Sequence, residues 1–215
     1  MSKLDTSRTA LLIIDPQNDF LSEGGVGWDL VGDGVKNTKV VEHLVELRKA
    51  AKEAGITTFY CPHYYSDAEF AAWKHLNPID KMMFDGKMFR KPGWGSDFHP
   101  DLVPDENTFV LSPHKALSGF WAGDIAIQFR QRGIDTIILA GMSANLCVES
   151  HLRDAEENGF EVLVVKDATT GPGPEATQAA MVNYGLIANE VVTTDDITGR
   201  LREAAAVQAG DHPIR

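Results

Sequence analysis

Six runs of strand length, almost wholly apolar, recur along the chain: TALLIID, GITTFYC, NTFVLSPHK, DTIILAGM, FEVLVVKDA and NEVVTTDDI. They show little polar alternation, so they read as strands covered on both faces, the pattern of a parallel sheet between helical layers. The segments between them carry helical spacing. Asp33 to Ala54 sets Val41, Leu44, Val45 and Ala51 on one stripe and stops at Gly55; Gly123 to Gly133 and Leu146 to Gly159 repeat that pattern, each closing on glycine. Alternating strands and helices predict an α/β fold of three layers, doubly wound, with a mostly parallel six-stranded sheet and helices on both faces. Right-handed crossovers then bring every strand's carboxyl end to one edge, where ligands bind in folds of this kind.

A length of 215 residues with 43% hydrophobic content suits one domain spanning 1–215. The segment from Tyr64 to Pro104 breaks the rhythm with Lys, Met, aromatics, Gly and Pro around one short helical pattern at Ala68 to His75, and reads as an insertion or lid. A loop at Thr169 to Pro174 borders the same edge, and residues from about 198 onward read as a C-terminal tail. Acidic residues outnumber basic ones by 31 to 20, for a net charge of −11, and the basic ones are scattered. That argues against nucleic acid or an anionic membrane as partner and leaves a small-molecule substrate. Two cysteines, no apolar leader and no run long enough to span a bilayer point to a cytoplasmic protein.

Three reactive side chains stand at the predicted carboxyl edge. Asp15 ends the first run, Lys115 ends the third, and Cys147 falls in the first turn of the helix after the fourth. Singly, each has a plain structural reading: an Asp-Pro turn former, a solvated lysine, a buried small cysteine. Together, a carboxylate able to take a thiol proton, an ammonium able to steady both anions and a cysteine at a helix N-terminus are the equipment of covalent acyl transfer. Asn145 is placed as N-cap, and the helix end favours thiolate over thiol. His114 should point opposite to Lys115, because neighbouring side chains on a strand alternate. His99 reads as packing.

The segments LLIIDPQNDF, SPHKALSGF and LAGMSANLCVESHLRDA, in this order and at these intervals, resemble the three signature segments of the isochorismatase-like cysteine hydrolases. That superfamily includes nicotinamidases, N-carbamoylsarcosine amidases, ureide amidohydrolases and isochorismatases. The resemblance runs from about Thr9 to Ile197. It implies an Asp15, Lys115 and Cys147 triad, with Asp15 as general base and Lys115 holding it ionised. Cys147 would form a thioester that water hydrolyses. It also implies a cis Met142–Ser143 peptide and an oxyanion hole from the backbone N–H groups of Ser143 and Cys147. A thiol favours C–N hydrolysis of an amide, ureide or carbamoyl substrate; an ether-cleaving isochorismatase and a catalytically idle binding module are the alternatives. Family members assemble commonly, so a homo-oligomer is expected.

No cofactor is expected. Nicotinamidase-like members carry a metal behind an Asp-x-His pair after the second strand, where this chain reads Cys61-Pro62-His63 with His75 downstream. Those three are the zinc candidates, although their spacing forms no recognised closed site. Phe20, Tyr64, Trp94, Phe120 and Trp121 are the candidate pocket walls, with Phe20 favoured by its place in the first segment, and Gln17 supports Asp15.

Overall fold

Along β1 (Thr9–Ile14) all six residues are buried, yet alternate ones belong to different cores: Leu11 and Ile13 to one, Ala10, Leu12 and Ile14 to the other. A strand can satisfy that pattern only between two helical layers. The computed structural model, which describes residues 4–210, supplies them. Thr6–Arg8 forms a single turn before β1. After β1 come α1 (Asn18–Leu21), α2 (Trp28–Thr38), α3 (Val40–Glu53), β2 (Thr58–Cys61), α4 (Asp67–Ala72), α5 (Pro78–Asp85) and β3 (Thr108–Val110). The second half holds α6 (Gly119–Ala122), α7 (Ile125–Gln131), β4 (Thr136–Met142), α8 (Glu149–Glu157), β5 (Glu161–Thr170), α9 (Pro174–Ile187), β6 (Glu190–Val192) and α10 (Thr194–Gly210).

The strands order as β3-β2-β1-β4-β5-β6, every pairing parallel. The chain therefore winds outward from β1 in one direction, then restarts on its other side at β4. The crevice between the carboxyl ends of β1 and β4 is the topological switch point, where ligands bind in open α/β sheets. Close strand contact there depends on Gly141, which pairs with Ile14 at φ 113°. A Cβ at Gly141 would stand 2.1 Å from the Ile14 carbonyl oxygen, far inside van der Waals contact.

Four expectations are corrected. The stretch from Asp33 to Ala54 is not one helix: Lys39 at φ 51° separates α2 from α3, and helix begins earlier, at Trp28. Val45 faces solvent, whereas Leu44 and Leu47 are buried. The region beyond residue 198 is no loose tail up to residue 210, because α10 buries Ile197 and Leu201 in the same core as Leu44 and Leu47; residues 211–215 lie outside the described residues. The 64–104 insertion holds α5 as well as α4, each N-capped, by Asn77 and Ser66.

The insertion is fastened to the turn after β1. The Asp19 carboxylate accepts the Phe89 N–H at 2.5 Å and the Val26 N–H at 3.0 Å. Asn18 Nδ2 donates to the Trp94 carbonyl at 2.9 Å, and the His99 N–H to that of Pro16 at 3.0 Å. These bonds fix one wall of the crevice.

Candidate active site

Asp15 follows the last residue of β1 at φ 50°, a left-handed conformation that is doubly unusual for a non-glycine residue before proline. Its N–H donates to the Cys61 carbonyl at 3.1 Å, and its carbonyl accepts the Gln17 N–H at 2.7 Å. The turn ends the strand while keeping the carboxylate wholly buried. His114 Nε2 donates to Oδ1 at 2.8 Å. Oδ2 is buried without a partner of ordinary hydrogen-bond geometry, which leaves it for the Cys147 thiol.

Cys147 lies in a single π turn, Ala144–Val148, that leads from β4 into α8. The Met142–Ser143 peptide before it is cis. The residue is only 4% exposed. Burial first, then the charge of Asp15 and the thiol's interaction with that carboxylate, push its pKa well above the ordinary cysteine value; the Ser143 N–H facing the sulfur pulls the other way. The expectation of a resting thiolate at a helix end is thus reversed in direction, because desolvation outweighs the helix dipole. Asn145 is not the N-cap: Ser143 holds that position without a side-chain cap, and Asn145 sits inside the turn.

Lys115 does not meet Asp15. Its Nζ donates to the Tyr64 carbonyl at 2.5 Å, pairs with Glu69 at 2.7 Å and stands 5.3 Å from the Tyr65 ring centroid, with the side chain 29% exposed. The cause is register. β3 ends at Val110, but His114 extends its pairing through a parallel bridge to His63. Alternation between neighbours holds, with His114 turned inward and Lys115 outward.

Two further histidines complete the centre. His151, one helical turn after Cys147, uses Nδ1 to donate to the Cys147 carbonyl at 2.7 Å and Nε2 to accept the Gly119 N–H at 2.9 Å. Those partners fix its tautomer, and burial, helped by His114, depresses its pKa to about 3. The spacing Cys147-x-x-x-His151 on a helical stretch was the sequence signal for it. His63 is fully buried, stacks on Phe89 with ring centroids 4.9 Å apart and lies 4.3 Å from the His114 ring. Burial also drives its pKa well below the usual histidine value. Gln17 grips the His63 backbone, accepting its N–H at 2.7 Å and donating to its carbonyl at 3.0 Å; it supports His63, where the sequence suggested Asp15.

Cys61, His63 and His75 do not converge. Cys61 Sγ lies 3.5 Å from His151 Nε2 within the second core, and His75 is exposed beyond α4. These residues do not fit the metal site of the nicotinamidase-like pattern.

Above Cys147 opens a small cleft walled by Phe20, Met82, Met83, Met88, Leu117 and Leu146, with His63 and Ser143 as its other polar neighbours. Pro172, from the loop after β5, closes one side. Of the aromatic candidates, Phe20 lines this cleft. Tyr64 lies under Lys91, 4.5 Å from its ring centroid, Trp94 is 52% exposed, Trp121 is 85% exposed, and Phe120 packs beside His151 and Phe160 in the other layer.

A doubly wound parallel sheet whose switch point holds a buried cysteine beside a carboxylate, under a small apolar cleft, is the frame of an α/β enzyme for small molecules. The chain belongs to the isochorismatase family: the isochorismatase domain matches residues 9–196. It is 31% identical to the ureidoacrylate amidohydrolase RutB of Caulobacter vibrioides over 216 residues, covering 94% of this chain and 95% of that one. Among solved structures, a cysteine hydrolase from Pseudomonas syringae pv. phaseolicola aligns with a TM-score of 0.78 at 20% identity, over 95% of this chain and 97% of that one. An N-carbamoylsarcosine amidase from Thermoplasma acidophilum aligns with a TM-score of 0.66 at 24% identity, over 87% and 97%. The protein is a hydrolase of the isochorismatase-like superfamily. Among the described residues no helix is long and apolar enough to cross a membrane.

Proposed function

We propose that this protein hydrolyses a C–N bond in a small, uncharged amide, ureide or carbamoyl compound through a thioester on Cys147. The observation carrying this reading is the buried Cys147, beside the buried Asp15, at the floor of an apolar cleft. The thiol rests protonated, so attack requires a base beside it; Asp15 takes that proton as the sulfur bonds to the carbonyl carbon. The N–H groups of Ser143 and Cys147 face the oxyanion. Asp15 then passes its proton to the departing nitrogen, the C–N bond breaks, and an amine or ammonia leaves. Water, giving a proton to Asp15, attacks the thioester; the carbon–sulfur bond breaks and the thiol is restored. His114 takes the part that the resemblance assigned to Lys115, holding and orienting Asp15 through Oδ1. As proposed, the cycle draws on these side chains and backbone groups.

The cleft also speaks to substrate. Among the described residues no lysine or arginine lines it, and burying an unpaired carboxylate among methionines costs several kcal/mol, roughly 3 or more. The relative RutB is named for ureidoacrylate, an anion; for this chain an uncharged acyl group with an apolar body fits better. The test is a panel of amides and ureides in neutral and carboxylate-bearing pairs, read by ammonia or amine release. Neutral members should turn over, Cys147→Ala should abolish turnover, and intact-mass analysis should catch an acyl adduct on the wild-type chain alone. Equal turnover by Cys147→Ala would refute the thioester. A homo-oligomer in the cytoplasm remains part of the proposal: both cysteines are free, and sedimentation would read the assembly.

A further inference from the structure

The catalytic centre contains more donor atoms than the hydrolytic cycle uses. His63 is wholly buried, and neither Nδ1 nor Nε2 has a hydrogen-bond partner. A buried polar group without a partner costs roughly 1–3 kcal/mol, so two on one ring call for an explanation. Gln17 holds the backbone on both sides of this ring and Phe89 stacks on its face, so its direction is set. One donor atom each from Asp15, His63, His114 and Cys147 lie within 4.8 Å of one another.

We propose that this quartet binds a divalent metal ion of the zinc type, and that the bound ion silences the enzyme by occupying its nucleophile. A tetrahedral site with bonds of about 2.0–2.3 Å has ligand-to-ligand edges of roughly 3.3–3.8 Å. Separations of up to 4.8 Å reach that geometry when each donor moves inward by less than about 1 Å. Two imidazole nitrogens, one carboxylate oxygen and one thiolate are a ligand set that zinc and cobalt accept. The thiol proton leaves to solvent as sulfur binds, and carboxylate plus thiolate then balance the ion's two charges in a site shut off from water. Four protein ligands leave no open position for substrate or water, so the bound state is inert. A neighbouring trio, Cys61, His114 and His151, is also close, but both nitrogens of His151 are engaged by the Cys147 carbonyl and the Gly119 N–H. The free nitrogens of His63 decide between the two sets.

The silencing half rests on the proposed role of Cys147; the binding half does not, and the two are read separately. The full chain, freed of metal by a chelator, is titrated with Co²⁺. Saturation near one equivalent is expected, with a near-ultraviolet sulfur-to-cobalt charge-transfer band and strong visible bands of tetrahedral cobalt. His63→Ala and His63→Gln should weaken uptake by about tenfold or more, and Cys147→Ser should remove the charge-transfer band; circular dichroism checks that each variant is folded. Uptake that is absent, or equal in wild type and a folded His63 variant, overturns the site. Zn²⁺ should displace cobalt and stop amide hydrolysis at the same stoichiometry, with recovery on chelation; binding without inhibition overturns the silencing.

Discussion

Exchanging the expected roles of two adjacent residues gives the sharpest test. Removing His114 strips the buried Asp15 carboxylate of its bond to Oδ1 at 2.8 Å. A hydrogen bond to a charged group is worth about 1.5–3 kcal/mol. If the oriented carboxylate matters throughout the proton transfers, His114→Ala should lower kcat/KM by roughly 10- to 150-fold. Removing Lys115 breaks an ion pair with Glu69 whose side chains are 29% and 26% exposed. Such pairs contribute at most about 1 kcal/mol, so Lys115→Ala should cost no more than roughly fivefold. Initial rates of ammonia release on one neutral amide, with thermal melts to confirm folding, compare the two directly. A larger loss for Lys115→Ala than for His114→Ala would refute the reading of His114 as the residue that orients Asp15.

Other consequences follow from the same geometry. Gly141→Ala puts a Cβ 2.1 Å from the Ile14 carbonyl at φ 113° and should destabilise by more than ~2 kcal/mol in urea unfolding; Gly159→Ala, at φ 82° with open space around it, should cost ~1 kcal/mol. Alkylation of Cys147 by iodoacetamide should be slow near neutrality and accelerate with pH, because its pKa is raised, while Cys61, buried and also raised, should react only on unfolding. His151 has a folded pKa of about 3 against 6.5, so the unfolded chain binds a proton that the folded chain refuses between those values. Stability should therefore fall on acidification from pH 6.5 towards 3, by up to ~1.4 kcal/mol per pH unit from this group. Urea midpoints across that range, compared with His151→Gln, should show a shallower slope in the variant.

The sheet was legible because its signal is local. Continuous apolar runs bounded by glycines mark strands buried on both faces, and their spacing leaves room only for crossover helices. Asp15 and Cys147 were legible for a related reason, since one directly follows such a run, the other falls in the first turn after another, and topology alone brings the two ends together. The parts that sequence reasoning missed depend on contacts between distant segments. Nothing near Lys39 announces the break between α2 and α3, since lysine rarely takes a left-handed conformation. Nothing near Val45 says that the buried face of α3 is shared with α10, whose own pattern looked like a tail.

The pair His114 and Lys115 shows why the site is harder to read than the fold. Which of two neighbours faces Asp15 depends on where the ladder between β2 and β3 resumes, and it resumes at the single bridge between His63 and His114, beyond the end of regular strand. One residue of slip exchanges every inward and outward side chain. Lysine matches the role by its charge, yet the alternation that turns Lys115 outward is what turns His114 towards Asp15. The same bridge carries His63 to within reach of His114, Asp15 and Cys147, so the register that swaps lysine for histidine also assembles the metal-ligand quartet. A variant that places lysine there, His114→Lys, would put an N–H donor beside Asp15 yet remove one ligand, and so should separate the centre's hydrolytic capacity from its affinity for zinc.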